Sequence, residues 1–192
     1  MNLPNILTMC RVLLTLFFIF FLGQPGTMPK ILALMVFTLA SVTDFLDGYY
    51  ARTRCLITAF GKIMDPIADK FLILSAFFIF TQMRIVAFWI FAIIFVREVL
   101  VTALRLIAIG KGRALAAEGA GKLKTVLQIA AVYLIMIFII LASPDTSAEW
   151  HRTLMPVLAQ GIYLFMMAVM AVTLWSGLSF VWNNRQEIFH AG

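Results

Sequence analysis

Apolar residues along the chain fall into six long runs, which short polar segments separate. Most runs approach the roughly 20 residues that an α-helix needs to cross the hydrocarbon of a bilayer. A spanning segment must satisfy its backbone hydrogen bonds internally, so the runs indicate helices rather than open strands. The pattern predicts six helices, at 5–22, 31–53, 66–81, 85–109, 123–142 and 155–182.

Composition supports the same class of protein. Of the 192 residues, 63% are hydrophobic and 12% are charged, whereas soluble domains are about 45–50% apolar and about 25% charged. The length leaves room for six spans with short loops and for no separate soluble domain. We therefore expect an all-α integral membrane fold with six transmembrane helices, in a single membrane-embedded domain over residues 1–192.

Basic residues indicate the orientation of these helices. Cytoplasmic loops of membrane proteins collect Lys and Arg. With the N-terminus inside, every basic residue except Lys30, Arg84 and Arg152 lies at a cytoplasmic helix end. The net charge of +6 then belongs to the cytoplasmic face, where it suits anionic headgroups or phosphorylated substrates rather than nucleic acid. The basic region before the first run is thin and no A-x-A site follows, so we expect an uncleaved helix there.

Four of the nine acidic residues lie within the stretch 44–70, between two apolar runs. These acids are Asp44, Asp47, Asp65 and Asp69. Positions three, four and seven apart share a helix face, so the first pair lies beside Gly48 and Ala51 and the second pair beside Gly61. Asp65 followed by Pro66 also predicts a helix start, with the aspartate as N-cap and the proline at the first helical position.

Four carboxylates at a membrane boundary need something that cancels their charge. Interfacial ion pairs with Arg52, Arg54, Lys62 and Lys70 are one explanation. A proton or cation pathway is a second, although it would favour acids near the membrane midplane. A third is a pair of divalent metal ions about 3.5–4 Å apart, because Mg²⁺ and Mn²⁺ take carboxylate oxygens together with substrate phosphates. This third explanation also accounts for the small residues, which leave room for a nucleotide diphosphate.

With its spacing, the stretch reads D-x2-D-G-x2-A-R-x8-G-x3-D-x3-D, from Asp44 to Asp69. It resembles the signature of the integral-membrane CDP-alcohol phosphotransferases at all eight defining positions. The six predicted spans, with the motif between the second and third, match as well. The resemblance implies a six-helix enzyme, usually a homodimer, that displaces CMP from a CDP-linked lipid with an alcohol acceptor.

The resemblance also implies roles for individual residues. Two ions, Mg²⁺ or Mn²⁺, would be held in each active site by Asp44, Asp47 and Asp65. Asp69 would be a further ligand or close neighbour of the metals, and the general base on the acceptor hydroxyl. The CDP site would be lined by Asp44, Asp47, Gly48, Ala51, Arg52, Thr58 and Gly61.

Charges in and after the fourth run point to the acceptor. Arg97, Glu98 and Arg105 interrupt an otherwise apolar helix, and charges at such depth normally face the bundle interior or a wet cavity. Lys122 and Lys124 lie at the start of the fifth helix, where free N–H groups and the helix dipole favour a phosphate. The four basic residues are expected to bind an anionic acceptor phosphate. Basic residues at cytoplasmic helix ends also act as topology determinants.

These segments, with the opening NLPNILTMCR and the DPIADK form of the motif, resemble family members that use sn-glycerol 3-phosphate. The implied reaction transfers the phosphatidyl group of CDP-diacylglycerol to this acceptor and releases CMP, at the cytoplasmic side of a bacterial inner membrane. Inositol phosphate, serine and phosphatidylglycerol are alternative acceptors. A membrane prenyltransferase and a transporter with an acidic site are the rival classes. Lipid tails must reach the site from the bilayer, so we expect a groove near the second and third helices.

Overall fold

The computed structural model describes the backbone of residues 3–54, 59–110, 119–142 and 149–185, and the side chains of residues 9–43, 70–108, 110, 121–142 and 153–185. Within these ranges the chain forms six α-helices and no strand. The helices are α1 (Leu3–Gly23), α2 (Thr27–Arg54), α3 (Ala59–Gln82), α4 (Phe88–Gly110), α5 (Gly119–Leu141) and α6 (Glu149–Asn183). The predicted all-α class and the six helices are confirmed.

The third and sixth helices begin earlier than the sequence predicts. α3 begins at Ala59, so Asp65 and Pro66 lie inside the helix, and the predicted N-cap at Asp65 is wrong. α6 begins at Glu149 and contains Pro156 in its interior. A proline removes one backbone N–H donor and favours a helix start for that reason. Both prolines instead lie about two turns into their helices, which continue through them.

The turn between α3 and α4 is tight and has a defined geometry. The Ile85 N–H donates to the Phe80 carbonyl and the Arg84 N–H to the Thr81 carbonyl, each at 3.0 Å. This pairing is the Schellman motif, which needs a left-handed residue just after the helix. Arg84 supplies it with φ 60°. The chain therefore reverses direction within a few residues.

This turn aligns residues that lie far apart in the sequence. α3 and α4 run antiparallel from it, with Lys70 twelve residues before the end of α3 and Glu98 ten residues after the start of α4. At 1.5 Å per residue these positions are about 18 and 15 Å from the turn. Lys70 and Glu98 therefore reach the same level of the bundle.

The helices pack around a shared apolar core. α1 packs on α2 and α3, α5 packs on α2, α3 and α6, and α4 packs on α3 and α6. The buried ring of Phe37 lies 5.5 Å from the Phe18 ring and 5.4 Å from the Tyr133 ring, between centroids. Tyr133 donates a 3.2 Å hydrogen bond to Thr38, which satisfies its hydroxyl among apolar side chains. These contacts fix α2 against α1 and α5.

The outer surface of the bundle is largely apolar. Side chains such as Phe20, Phe88 and Trp175 are more than half exposed, and an apolar surface this extensive marks contact with a membrane or a partner. In the described part of the chain, Gly121–Leu141 and Thr153–Asn183 are long and apolar enough to cross a membrane, by length and composition. The surface and these segments indicate a membrane protein, and crossing by all six helices stays a prediction.

Candidate functional site

Three cations surround one carboxylate inside the bundle. The carboxylate is that of Glu98, which is 2% exposed. Arg97 Nη1 donates to Glu98 Oε1 at 2.9 Å, and Lys70 Nζ lies 3.0 Å from Glu98 Oε2. Lys124 Nζ also pairs with Oε1. We call these four residues the Glu98 cluster; its cations come from α3, α4 and α5.

Neutral side chains add further hydrogen bonds to the cluster. Gln128 of α5 donates from Nε2 to Glu98 Oε1 and to Thr173 Oγ1, with each distance at 3.3 Å. Arg97 Nη2 donates to Ser176 Oγ at 2.9 Å. Because Thr173 and Ser176 belong to α6, the cluster joins α3, α4, α5 and α6. Buried charges keep such partners because an unsatisfied polar group in an apolar interior is costly.

Lys70 links α3 to α4 through all three N–H donors of its ammonium group. An ammonium has three N–H donors. Those of Lys70 meet Glu98 Oε2 at 3.0 Å, the Glu98 carbonyl at 3.1 Å, and Thr102 Oγ1. Thr102 donates its own hydroxyl to the Glu98 carbonyl at 2.6 Å. Since Lys70 directly follows Asp69, the end of the aspartate motif is fixed to the Glu98 cluster.

A glycine on α6 makes room for Arg97. A Cβ added to Gly177 would lie 2.9 Å from Cγ and 2.9 Å from Nε of Arg97. The far end of Arg97 is held by Glu98 and Ser176, so the middle of its side chain has little freedom to move aside. α6 therefore supplies both a gap and a hydroxyl that position Arg97.

The structure brings together two of the four cations predicted to bind the acceptor. Arg97 and Lys124 are buried in the Glu98 cluster. Arg105 is exposed, with its guanidinium carbon 5.6 Å from the centre of the Phe180 ring. Lys122 is exposed as well. In the part of the chain that the structure describes, neither Arg105 nor Lys122 forms an ion pair with the cluster, and their binding roles stay predictions.

Sequence reasoning missed the roles of three residues. Proximity in the sequence suggests that Lys70 pairs with the neighbouring aspartates, whereas the structure pairs it with Glu98 on the next helix. Gln128 and Ser176 were not predicted at all. The available signal was their polarity inside apolar helices, because buried polar side chains in such helices normally have partners or functions.

The aspartate motif lies on α2 and α3. Both stretches are continuous helix, so spacings of three and four residues place each aspartate pair on one helix face. Of the predicted site residues, those on these two helices are Asp44, Asp47, Gly48, Ala51, Arg52, Gly61, Asp65 and Asp69. Their side chains, and the whole of Thr58, lie outside the described residues.

The donor set of this motif suits hard divalent cations. Its four carboxylates offer oxygen ligands only, which Mg²⁺ and Mn²⁺ prefer, and the helical backbone places each pair on a common face. The side chains that the structure does describe contain no group of three potential metal ligands. The fit of metal ions therefore rests on the aspartates, their ligand chemistry and their helical placement.

An apolar groove lies between α3 and α4 beside the cluster. Its volume is about 630 Å³, within the range of about 300–1,000 Å³ that small-molecule sites have. Ile19 of α1 and apolar side chains of both helices, including Phe71 and Phe91, form its wall. Lys70 and Thr102 also line it, so the groove borders the cluster. Such a wall suits a hydrocarbon chain better than a polar ligand.

The contact between Gly177 and Arg97 generates a testable prediction. Gly177→Ala is expected to lower the free energy of unfolding by about 1–3 kcal/mol, because the added methyl overpacks the side chain of Arg97. Gly161→Ala in the same helix is the matched control, since a Cβ there meets nothing within 4 Å. It should raise stability by roughly 0.5–1 kcal/mol, the gain of alanine over glycine in a helix. Thermal unfolding in detergent measures both, and stabilisation by Gly177→Ala would contradict the packing.

Comparison with known proteins assigns the chain to a family. Residues 1–182 match the family model described as CDP-alcohol phosphatidyltransferase. A protein of Bacillus subtilis (strain 168) named CDP-diacylglycerol--glycerol-3-phosphate 3-phosphatidyltransferase is 38% identical over 143 residues, which cover 68% of this chain and 74% of that protein. A protein of Escherichia coli (strain K12) with the same name is 32% identical over 192 residues, 97% of each chain. The matched region contains both aspartate pairs and the Glu98 cluster, and the chain belongs to the CDP-alcohol phosphatidyltransferase family.

Proposed function

We propose that the protein transfers the phosphatidyl group of CDP-diacylglycerol to sn-glycerol 3-phosphate, giving phosphatidylglycerophosphate and CMP. Family membership and the names of the two relatives support this reaction. The observation in the structure that carries the choice of acceptor is the Glu98 cluster. Arg97 and Lys124 are buried there, next to the helix that bears Asp65 and Asp69. Ionisable groups at such depth in a membrane bundle mark a functional site rather than a topology signal.

The aspartates would act at the reacting end of the lipid. Asp44, Asp47 and Asp65 are proposed as ligands of two divalent ions, Mg²⁺ or Mn²⁺, with Asp69 as a further ligand or close neighbour. Such ions, when bound, neutralise charge on the diphosphate and on the departing CMP. The CDP group would lie against the same two helices, at Gly48, Ala51, Arg52, Thr58 and Gly61.

Asp69 would accept the proton of the acceptor hydroxyl. That oxygen attacks the lipid-proximal phosphorus, a new P–O bond forms, and the P–O bond to CMP breaks, so that CMP leaves with the bonding electron pair. A carboxylate among cations is a weak base, so the proton would move late in the reaction. Lys70 links the helix of Asp69 to Glu98, and Glu98 also pairs with the cations proposed for the acceptor phosphate.

The groove between α3 and α4 would hold an acyl chain of the lipid substrate. Its wall is apolar and it borders Lys70 and Thr102, and Lys70 follows Asp69 directly. A chain in this groove would leave its headgroup near the aspartate motif. This arrangement requires the bundle to span the membrane with six helices, with the active site and both termini at the cytoplasmic side of a bacterial inner membrane. The family resemblance adds a homodimer to this proposal.

The choice of acceptor can be tested directly. Purified protein with CDP-diacylglycerol and Mg²⁺ is expected to release CMP when sn-glycerol 3-phosphate is added. Serine, inositol phosphate and phosphatidylglycerol, supplied separately, are the comparison acceptors. CMP release with one of these and not with glycerol 3-phosphate would replace the acceptor and keep the reaction type. CMP release with none of them would favour the transporter.

The role of Asp69 generates a second prediction. Asp69→Asn is expected to lower turnover by at least about 10²-fold, the contribution typical of a positioned general base. The amide keeps the size of the side chain, so binding of CDP-diacylglycerol should persist in part. Turnover and nucleotide binding measured on the same preparation separate the two effects. Full activity in the variant would remove Asp69 as the base.

Two lysines of α5 provide a matched pair for the acceptor phosphate. Lys124→Ala is expected to raise the KM for glycerol 3-phosphate at least about tenfold, because it removes a charged hydrogen-bond donor. The KM for CDP-diacylglycerol should change much less. Lys122→Ala, two residues earlier on the exposed surface, should raise the acceptor KM by a smaller factor. A larger effect on the lipid KM than on the acceptor KM in Lys124→Ala would contradict the assignment.

A further inference from the structure

The groove between α3 and α4 has a polar level at one end and aromatic rings near the other. Lys70 and Thr102 line it at the polar level, and Phe78 and Phe91 line it close to the α3–α4 turn. Lys70 precedes Phe78 by eight residues of α3, and Thr102 follows Phe91 by eleven residues of α4. At 1.5 Å per residue, the groove extends about 12–17 Å from its polar level to the rings.

An aromatic contact between the two helices closes the end of the groove near the turn. The rings of Phe78 on α3 and Phe91 on α4 lie 5.9 Å apart, between centroids. The Phe95 ring lies 5.7 Å from the Phe91 ring, and Phe91 itself is buried. A ligand that extends from the polar level toward the turn therefore meets packed rings.

The walls of the groove favour a hydrocarbon chain. The polar groups of Lys70 and Thr102 are already bonded to each other and to Glu98, so they offer little to a polar ligand. Phe71 and Val99, which line the groove, are also exposed at the surface of the bundle. The groove is thus open along one side, and a lipid chain can enter it sideways from a bilayer.

The length of the groove matches one acyl chain. The hydrocarbon of a bilayer is about 30 Å thick, so a chain that fills one leaflet spans about 15 Å. This value lies within the distance of about 12–17 Å from the polar level to the rings. Lys70 directly follows Asp69, so a chain in the groove has its headgroup end beside the aspartate motif. The lipid substrate of the proposed reaction is therefore the occupant that fits both ends.

We propose that this groove selects the length of the acyl chain, with the Phe78–Phe91 contact as its end and Ser75 as a specificity-determining residue in its wall. A lipid tail moves from one apolar medium to another when it enters, so each added methylene gains little. A chain longer than the groove must instead bend against the rings, and overpacking of this kind is costly. Ser75 lines the groove seven residues before the end of α3, where a small side chain leaves the middle open. The inference rests on the proposed function, since it assumes a diacyl lipid substrate.

The test uses the full-length enzyme with glycerol 3-phosphate and CDP-diacylglycerols that differ only in chain length. Dilauroyl, dipalmitoyl, distearoyl and diarachidoyl lipids are supplied in mixed micelles, and CMP release gives kcat/KM for each. In the wild type, kcat/KM should fall about tenfold from the dipalmitoyl to the diarachidoyl lipid, the effect expected from overpacking. Phe78→Ala opens the end of the groove and should remove most of this fall.

Ser75→Leu should act in the opposite direction. A larger side chain in the middle of the wall shortens the usable groove, so the fall should move to shorter lipids, with the dipalmitoyl lipid about tenfold worse than the dilauroyl lipid. This variant decides the question if Phe78→Ala fails to fold. Phe88→Ala is the matched control, because Phe88 is an exposed ring of α4 that does not line the groove. It should keep the wild-type profile, and micelle effects of chain length act on every variant alike.

Binding of the same lipids without acceptor, measured by native mass spectrometry, reports the length profile without turnover. A flat profile in the wild type, or the same profile in both groove variants, would overturn the proposal. Loss of a dimer in these variants with unchanged chain preference would also overturn it, and would assign the groove to a contact between copies. If binding followed the expected profiles but no CMP appeared, the proposed reaction would fail and the chain-length selection would stand. If CMP appeared with profiles that the variants did not shift, the selection would fail and the reaction would stand.

Discussion

The interaction on which the arrangement depends is the pairing of one buried carboxylate with cations from three helices. Glu98 accepts from Lys70 of α3, Arg97 of α4 and Lys124 of α5, and Arg97 extends the network to Ser176 of α6. In an apolar bundle little water is available to replace a lost partner. Breaking one contact therefore leaves a buried charge without compensation in a medium of low dielectric constant. Hydrogen bonds and ion pairs also depend on direction and distance, so this network adds a geometric constraint to the packing of the apolar side chains. The charged cluster therefore fixes the relation between α3, α4, α5 and α6.

That relation connects the two halves of the proposed active site. The cations proposed for the acceptor come from α4 and α5, while the carboxylates proposed for the reacting diphosphate lie on α2 and α3. Lys70 bridges them, because it is bonded to Glu98 and Thr102 of α4 and directly follows Asp69. α2 has a different attachment, through the packing of Phe37 against Phe18 and Tyr133. The apolar groove beside Lys70 then gives the lipid a place from which its headgroup would reach both halves.

The sequence predicted the six helices and the family, and it predicted the cluster only in part. Six apolar runs were sufficient for six helices because length and composition determine that outcome locally. The spacing of the aspartates was sufficient to identify the family because the motif occupies one contiguous stretch.

The position of Arg97 within an apolar helix correctly predicted that its side chain faces the bundle interior. The same argument predicted an interior position for Arg105, which is exposed and lies over the Phe180 ring instead. Which face of α4 or α5 meets a neighbour depends on helix rotation and on the level set by the α3–α4 turn, and neither is encoded in the spacing of a single helix. For that reason, the sequence alone could not predict the pairing of Lys70 with Glu98.

The start of α3 was misplaced because Asp65 and Pro66 together have the pattern of a helix start, although the helix runs through them.

The charge of the cluster bears on which alcohol the enzyme uses. Arg97 and Lys124 are buried cations of this cluster, and a phosphate monoester would bring nearly two negative charges to them. Serine is a zwitterion with no net charge, and phosphatidylglycerol carries a single charge on its phosphodiester, so the attraction of either to these cations would be weaker. Electrostatics therefore separates glycerol 3-phosphate from serine and phosphatidylglycerol. Inositol phosphate carries the same monoester and the same charge, so charge does not distinguish it from glycerol 3-phosphate, and the two acceptors differ instead in the size and shape of the polyol.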